Sequence, residues 1–217
     1  MRWLWFIFIF LSIFLTAAKP DSLQGFVQIK DLIPDTRVEL KYATTDNFLH
    51  ENVYGDFKSC YLLPQAAQML QKAREYLQER DPSLTFVLYD CLRPVRVQKK
   101  MWEIVKDTPQ KAYVANPYTK TGSIHNYGCA VDLSLWNAKT NKPLDMGTPF
   151  DHFGPEAEPQ LEMQLLKQKK ISLEQLANRL LLREVMVRAG FLPLKNEWWH
   201  FNCADHNTVL KNFRKVD

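Results

Sequence analysis

Apolar residues recur along the chain with two different periods. Over residues 64–80, Ala66, Ala67, Leu70, Ala73 and Leu77 fall three or four apart, the spacing of one helix face. Pro64 suits the first turn of that helix, and Asp81-Pro82 ends it. A second helix is predicted over residues 95–106, where Val97, Met101, Trp102 and Val105 recur and Thr108-Pro109 follows. A third is predicted over residues 173–189, with Leu176, Leu180, Val185 and Val187 set among charges, Ser172 as N-cap and Gly190 as stop.

The other period is that of strands. Residues 84–89, Leu-Thr-Phe-Val-Leu-Tyr, form a short β-branched and aromatic run that reads as a buried strand, and residues 130–136 read as another. Residues 26–43 alternate loosely around Val27, Ile29, Val38, Leu40 and Tyr42, predicting two short extended segments about a Pro34-Asp35 turn. Residues 137–149 read as a turn-rich connection, and the aromatic stretch 197–202 as extended. The sum predicts an α+β fold: a small, mostly antiparallel sheet with packed helices.

The N-terminus breaks this pattern. Arg2 precedes an apolar run from Trp3 to Leu15, interrupted by Ser12 and followed by the small residues Thr16-Ala17-Ala18. A basic start, an apolar middle and small residues at a cleavage point make a secretory signal peptide over residues 1–18, leaving one domain over residues 19–217. The run is shorter than the ~20 residues that span a bilayer, so no permanent membrane span is expected. An exported protein, periplasmic or secreted, meets an oxidising compartment, where Cys60, Cys91, Cys129 and Cys203 can form disulfides in three possible pairings. Cys60 precedes the first helix and Cys91 follows the next strand, which suggests that pair; Cys129 with Cys203, beside the metal motifs described below, is the competing one. No two of the four stand as Cys-x-x-Cys, which disfavours a thiolate zinc site.

Composition narrows the function by exclusion. With 217 residues, 46% hydrophobic and 24% charged, the chain can bury one sizeable core. Its net charge of +4 is small and its basic residues are scattered among acids, which disfavours nucleic acid as a partner. Only 7 glycines are present, and they form no phosphate-binding loop.

Two short segments carry candidate chemistry. In Ser123-Ile-His-Asn-Tyr-Gly-Cys-Ala-Val-Asp132, a spacing of seven would put His125 and Asp132 on opposite faces of one uninterrupted strand. Gly128 can supply the turn or bulge that lets both reach one ion. In Glu197-Trp-Trp-His200, a kink is needed to turn both polar side chains inward. His125, Asp132 and His200 then fit the three protein ligands of a catalytic zinc, with Glu197 as the base that does not bind metal. The bland alternatives are a packed, hydrogen-bonded histidine beside tryptophan and a strand-end aspartate. His50, His152 and His206 read as surface residues, and Asp151-His152 is the best rival ligand pair, although neighbours rarely point at one ion.

The pattern Ser123-x-His125-x-x-Gly128-x-Ala130-x-Asp132, followed by Glu197-x-Trp199-His200, resembles the signature of VanX-type D-alanyl-D-alanine dipeptidases, within the zinc D-Ala-D-Ala metallopeptidases. Residues 41–48, 89–94, 146–151 and 178–191 resemble further segments of that family, in order. The resemblance implies hydrolysis of D-alanyl-D-alanine, one zinc per chain at His125, Asp132 and His200, Glu197 as base, and Arg93 as the transition-state arginine. It also implies a closed pocket for a very small dipeptide, with Ser123 as a carboxylate donor and Tyr42 as a further substrate contact. Leu92 stands where the family usually has tyrosine, which puts the neighbouring pocket wall in doubt. Two other functions compete: a D,D- or L,D-carboxypeptidase trimming longer wall peptides with the same zinc site, and an idle peptidoglycan-binding module. A binding module has no need of both Glu197 and a complete ligand trio.

Overall fold

The computed structural model describes residues 23–217; the N-terminal apolar run and the proposed cleavage point lie outside the described residues. The elements are, in chain order, β1 (Val27–Gln28), α1 (Ile29–Leu32), β2 (Arg37–Val38), β3 (Tyr61–Leu62), α2 (Pro64–Arg80), β4 (Leu84–Asp90), α3 (Val95–Val105), β5 (Ala130–Asn137), β6 (Lys142–Pro143), α4 (Glu162–Lys167), α5 (Leu173–Arg188), β7 (Leu192–Pro193), β8 (His200–Asn202) and α6 (His206–Asn212). The predicted α+β class holds. One sheet runs β2-β4-β5-β8-β7 with β6 also on β5, and only the β2–β4 pair is parallel; β1 and β3 form a separate two-stranded ribbon.

Helix α2 follows its sequence pattern. Its buried face is Ala66, Ala67, Leu70, Ala73, Arg74 and Leu77, Pro64 sits in the first turn, and Asp81 caps the C-terminus in extended conformation. That face packs on β4 and on α5. All seven residues of β4 are buried, as is expected of a strand covered on both faces. The three small alanines let α2 approach the sheet closely, and one main hydrophobic cluster joins the helix, β4 and β5.

Three expectations need correction. Residues 26–43 are not simply two extended segments about a turn: Ile29 is fully buried and opens the one-turn helix α1, and residues 41–43 form a 3-10 turn. Residues 137–149 contain β6 in addition to turns. On α5, Leu180 and Val187 are exposed, whereas Leu176, Arg179, Leu182, Val185 and Met186 face inward. A single helix face needs the i, i+3, i+4 rows, and the row through Leu176 and Leu182 passes through Arg179, a charged residue that an apolar count skips. Ser172 caps α5 as expected, with Gln175 completing a capping box.

Candidate active site

The site is built where three adjacent strands come into register. Asp90 on β4 stands opposite Asp132 on β5, and Asp132 stands opposite His200 on β8. Directly opposed residues of paired strands project to the same face, so the pairing alone brings Asp132 and His200 together. His200 Nδ1 lies 2.9 Å from Asp132 Oδ1.

His125 arrives from a different element. It sits in a single 3-10 turn, Ile124–Tyr127, whose N-cap is Ser123. The Ser123 hydroxyl accepts the His125 N–H and Asn126 Oδ1 accepts the Ser123 N–H, a capping box in four residues. Gly128 ends the turn with φ 66°, in the left-handed region, and a Cβ there would lie 2.6 Å from the Phe26 ring. Only glycine fits both demands. This is the predicted break between His125 and Asp132, and it leaves His125 Nε2 at 3.3 Å from Asp132 Oδ2 and 3.2 Å from His200 Nδ1.

The far nitrogens fix which ring atoms face inward. His125 Nδ1 lies 2.7 Å from the Cys91 carbonyl oxygen, and His200 Nε2 lies 2.9 Å from Asn202 Oδ1. Each acceptor takes an N–H, so His125 Nε2 and His200 Nδ1 are left with their lone pairs turned towards Asp132. The ligand-type atoms of these three buried residues all lie within 4.8 Å of one another. Two bare imidazole nitrogens and a carboxylate form a donor set that a metal ion would satisfy.

Glu197 stands at the rim of this trio, its Oε2 3.8 Å from His200 Nδ1. Residues 198–199 bend before β8 begins, which is the predicted kink. Burial lifts the Glu197 carboxyl to about 7; His200 and Arg93 oppose the rise and Asp132 adds to it. Burial would lower His200, but with no cation in the trio Asp132 and Glu197 outweigh it and lift the imidazole to about 9, so Nδ1 carries a proton that a metal ion would displace. Burial would raise Asp132, but His125 and His200 hold it below the usual carboxylate range.

Arg93 is locked on three sides. Its Nε donates to Asp90 Oδ2 at 2.8 Å, its Nη1 to Gln98 Oε1 at 2.8 Å, and the Tyr42 ring lies 5.0 Å from its guanidinium carbon. Tyr54 donates its hydroxyl to the other oxygen of Asp90. Tyr42 in turn donates to Asp151, 2.9 Å from Oδ2. Asp151 has φ 59°, and burial followed by repulsion from Asp132 raises its carboxyl well above the usual range.

All seven predicted site residues, Tyr42, Arg93, Ser123, His125, Asp132, Glu197 and His200, line one cavity of about 220 Å³. Asp151 lines it too, as a neighbour of Tyr42 rather than as a ligand, while His152 turns away to Glu156 at 3.5 Å. Leu92 does not touch the cavity: it is buried against Leu23 and Tyr61, so the expected change in the pocket wall does not occur there. Sequence reasoning missed Asp90, Gln98 and Asn202, and considered Asp151 only as a rival ligand beside His152. Only Asn202 left a usable signal, since it lies two residues beyond His200 in a strand and so shares its face.

Both suggested disulfides are present, so the two pairs do not compete. Cys60–Cys91 and Cys129–Cys203 have Cα separations of 5.3 and 5.1 Å. The first fixes the residue whose carbonyl orients His125; the second joins the start of β5 to the end of β8, beside Asp132 and His200.

Known proteins are similar to this chain over most of its length. The chain matches the family described as D-ala-D-ala dipeptidase over residues 22–216. It is 33% identical over 182 residues to a D-alanyl-D-alanine dipeptidase of Escherichia coli (strain K12), covering 81% of this chain and 82% of that one. It is 28% identical over 195 residues to a D-alanyl-D-alanine dipeptidase of Enterococcus faecium, covering 83% and 92%. With the family matched across nearly all the described residues, the chain belongs to the D-Ala-D-Ala dipeptidases, a family of metallopeptidases.

Proposed function

We propose that the chain is an exported zinc dipeptidase that hydrolyses D-alanyl-D-alanine to two D-alanines, with His125, Asp132 and His200 holding one ion. The observation that carries this reading is the orientation of the two imidazoles, each engaged at its far nitrogen so that the near one faces Asp132. Two neutral nitrogens and one carboxylate are a common ligand set for a catalytic zinc with an open position. When bound, zinc supplies Lewis acidity, polarising the scissile carbonyl and acidifying water.

The remaining roles fall to this chain's own side chains. Glu197, at the rim of the trio, takes the proton of the attacking water and delivers it to the leaving amine as the C–N bond breaks. Arg93, fixed by Asp90 and Gln98, presents its guanidinium to the oxyanion, a role in which one donor is worth about 3 kcal/mol. Asp151 with Tyr42 receives the substrate ammonium, which offsets the repulsion of the Asp151 carboxylate by Asp132 and Glu197. Ser123, the N-cap of the turn that bears His125 and part of the cavity lining, receives the carboxylate. A cavity of about 220 Å³ suits a dipeptide.

Export is supported by the N-terminal pattern and by two disulfides, which persist in oxidising compartments. Among the described residues no helix is long and apolar enough to cross a membrane. The test is a substrate panel of free D-Ala-D-Ala, its N-acetyl form and longer wall peptides, with zinc content measured on the same sample. Turnover of the free dipeptide by protein carrying about one zinc per chain is expected; turnover only of the longer peptides would overturn the reading.

A further inference from the structure

Helix α5 holds a charge where its pattern calls for an apolar residue. Arg179 is 1% exposed, between Leu176 and Leu182 on the inward face. A guanidinium is costly to bury and is normally given several acceptors. Arg179 has one: its Nε donates to the Met146 carbonyl at 2.6 Å. The nearest carboxylate, Glu162, is 3.8 Å from Nη1 and is engaged instead by Arg183, leaving both η nitrogens of Arg179 without a hydrogen bond. Its other neighbour is the ring of Trp198, 5.8 Å from the guanidinium carbon.

Those two contacts lie at the roots of the two segments that carry the site. Met146 opens the loop that ends at Asp151, and Trp198 is the residue after Glu197. The segments are tied to each other by the Trp198 indole N–H, which donates to Thr148 Oγ1 at 2.8 Å, and by Trp199 against Phe150, ring centres 5.4 Å apart. Helix α5 grips the same loop twice more, through Gln175 to Asp145 Oδ2 and Asn178 to the Asp145 carbonyl. Residues 175, 178 and 179 share one helix face, so a single rigid element sets the loop.

We infer that Arg179 is a positioning residue for the reaction: pressed between Met146 and Trp198, it sets Asp151 and Glu197 relative to one another through the Trp198–Thr148 bridge. It touches neither substrate nor metal ligand. The inference rests on the roles given above to Glu197 and Asp151. A buried arginine that only stabilises the fold would lower the melting temperature without changing how the two carboxylates cooperate.

A double-mutant cycle separates the two roles. Arg179→Lys keeps the charge but loses the planar fork, and Thr148→Val removes the acceptor of the indole N–H at a half-buried site. Each is made alone and with Asp151→Asn, and kcat/KM for D-Ala-D-Ala is measured with metal content and melting temperature. Small displacements of reacting groups cost up to about 100-fold, so each single variant is expected to lose roughly 10-fold or more with metal content unchanged. In the Asp151→Asn background the same substitutions are expected to cost no more than about 3-fold, because coupled sites are not additive. Equal losses in both backgrounds, or wild-type activity in both variants, overturn the inference. Should Arg179→Lys fail to fold, Thr148→Val decides alone. A wild-type protein that does not hydrolyse D-Ala-D-Ala would sink the functional reading instead, a distinct result.

Discussion

Asn202 Oδ1 accepts the Nε2–H of His200 at 2.9 Å, and this contact decides which nitrogen His200 offers to the centre of the site. Partners of this kind fix the tautomer and the ring plane of a ligand and are typically worth 10- to 100-fold in metal affinity. Asn202→Leu should therefore lower zinc affinity by about that factor while the fold persists. Competition with a chelator of known affinity measures it directly. An unchanged affinity would mean that Asp132 alone orients the ring.

Glu197 predicts a pH dependence with a definite sign. Its carboxyl is raised from 4.5 to about 7 in the folded, metal-free protein, so the folded state binds more protons than the unfolded one between those values. The group is thus neutral to stability below about 4.5 and costs stability as pH rises to about 7, with the full penalty above. Glu197→Gln should stabilise metal-stripped protein above pH 7 by an amount on the order of 3 kcal/mol at most, and leave it unchanged at pH 4. Thermal melts at the two pH values test this. With zinc present the cation lowers the carboxyl's pKa, so the acid limb of kcat/KM should fall below about 7, and the variant should lose turnover while keeping its metal.

The Cys129–Cys203 bridge closes a loop with a sequence separation of 74 and spans the two strands that bear Asp132 and His200. Constraint of the unfolded chain by a loop of that size is worth about 4 kcal/mol in the chain-entropy model. A Cys129→Ser, Cys203→Ser double variant should melt well below wild type and release zinc faster to a chelator. Identical melting of wild type with and without reductant, with thiols shown to be free, would remove the bridge from the account.

How much of this was legible beforehand varied with the physics of each element. Helix α2 was read with its limits because its face is wholly apolar apart from Arg74 and its ends carry Pro64 and Asp81. The buried face of α5 was misread because Arg179 occupies it, a compromise that only the facing loop explains. The break at Gly128 followed from strand parity, since His125 and Asp132 cannot share a face without it. Asp90 and Gln98 were invisible because their function is to hold Arg93, and nothing in their spacing announces a guanidinium. By position Asp151 reads as a rival metal ligand beside His152, whereas its partner Tyr42 lies 109 residues away in sequence.

Asp151 and Tyr42 supply the final prediction. A part-buried carboxylate repelled by Asp132, with the Tyr42 hydroxyl as its hydrogen-bond donor and Arg93 as a more distant support, is better satisfied once a cation arrives. A dipeptide offers little apolar area, so its affinity must come from its charged ends, and a site built to pair with one end penalises a ligand that lacks it. Free D-Ala-D-Ala should therefore exceed its N-acetyl form in kcat/KM by roughly 100-fold, about 3 kcal/mol in transition-state terms. Asp151→Asn should erase most of that difference by harming the free dipeptide while sparing the blocked one, because the amide neither attracts an ammonium nor carries a charge that must be neutralised. Tyr42→Phe should act in the same direction but more weakly, since it removes one hydrogen bond and leaves the carboxylate in place. If the preference survived Asp151→Asn intact, the ammonium would have to be held elsewhere, and Glu197 would be the acid of the cavity lining, other than the ligand Asp132, left to hold it.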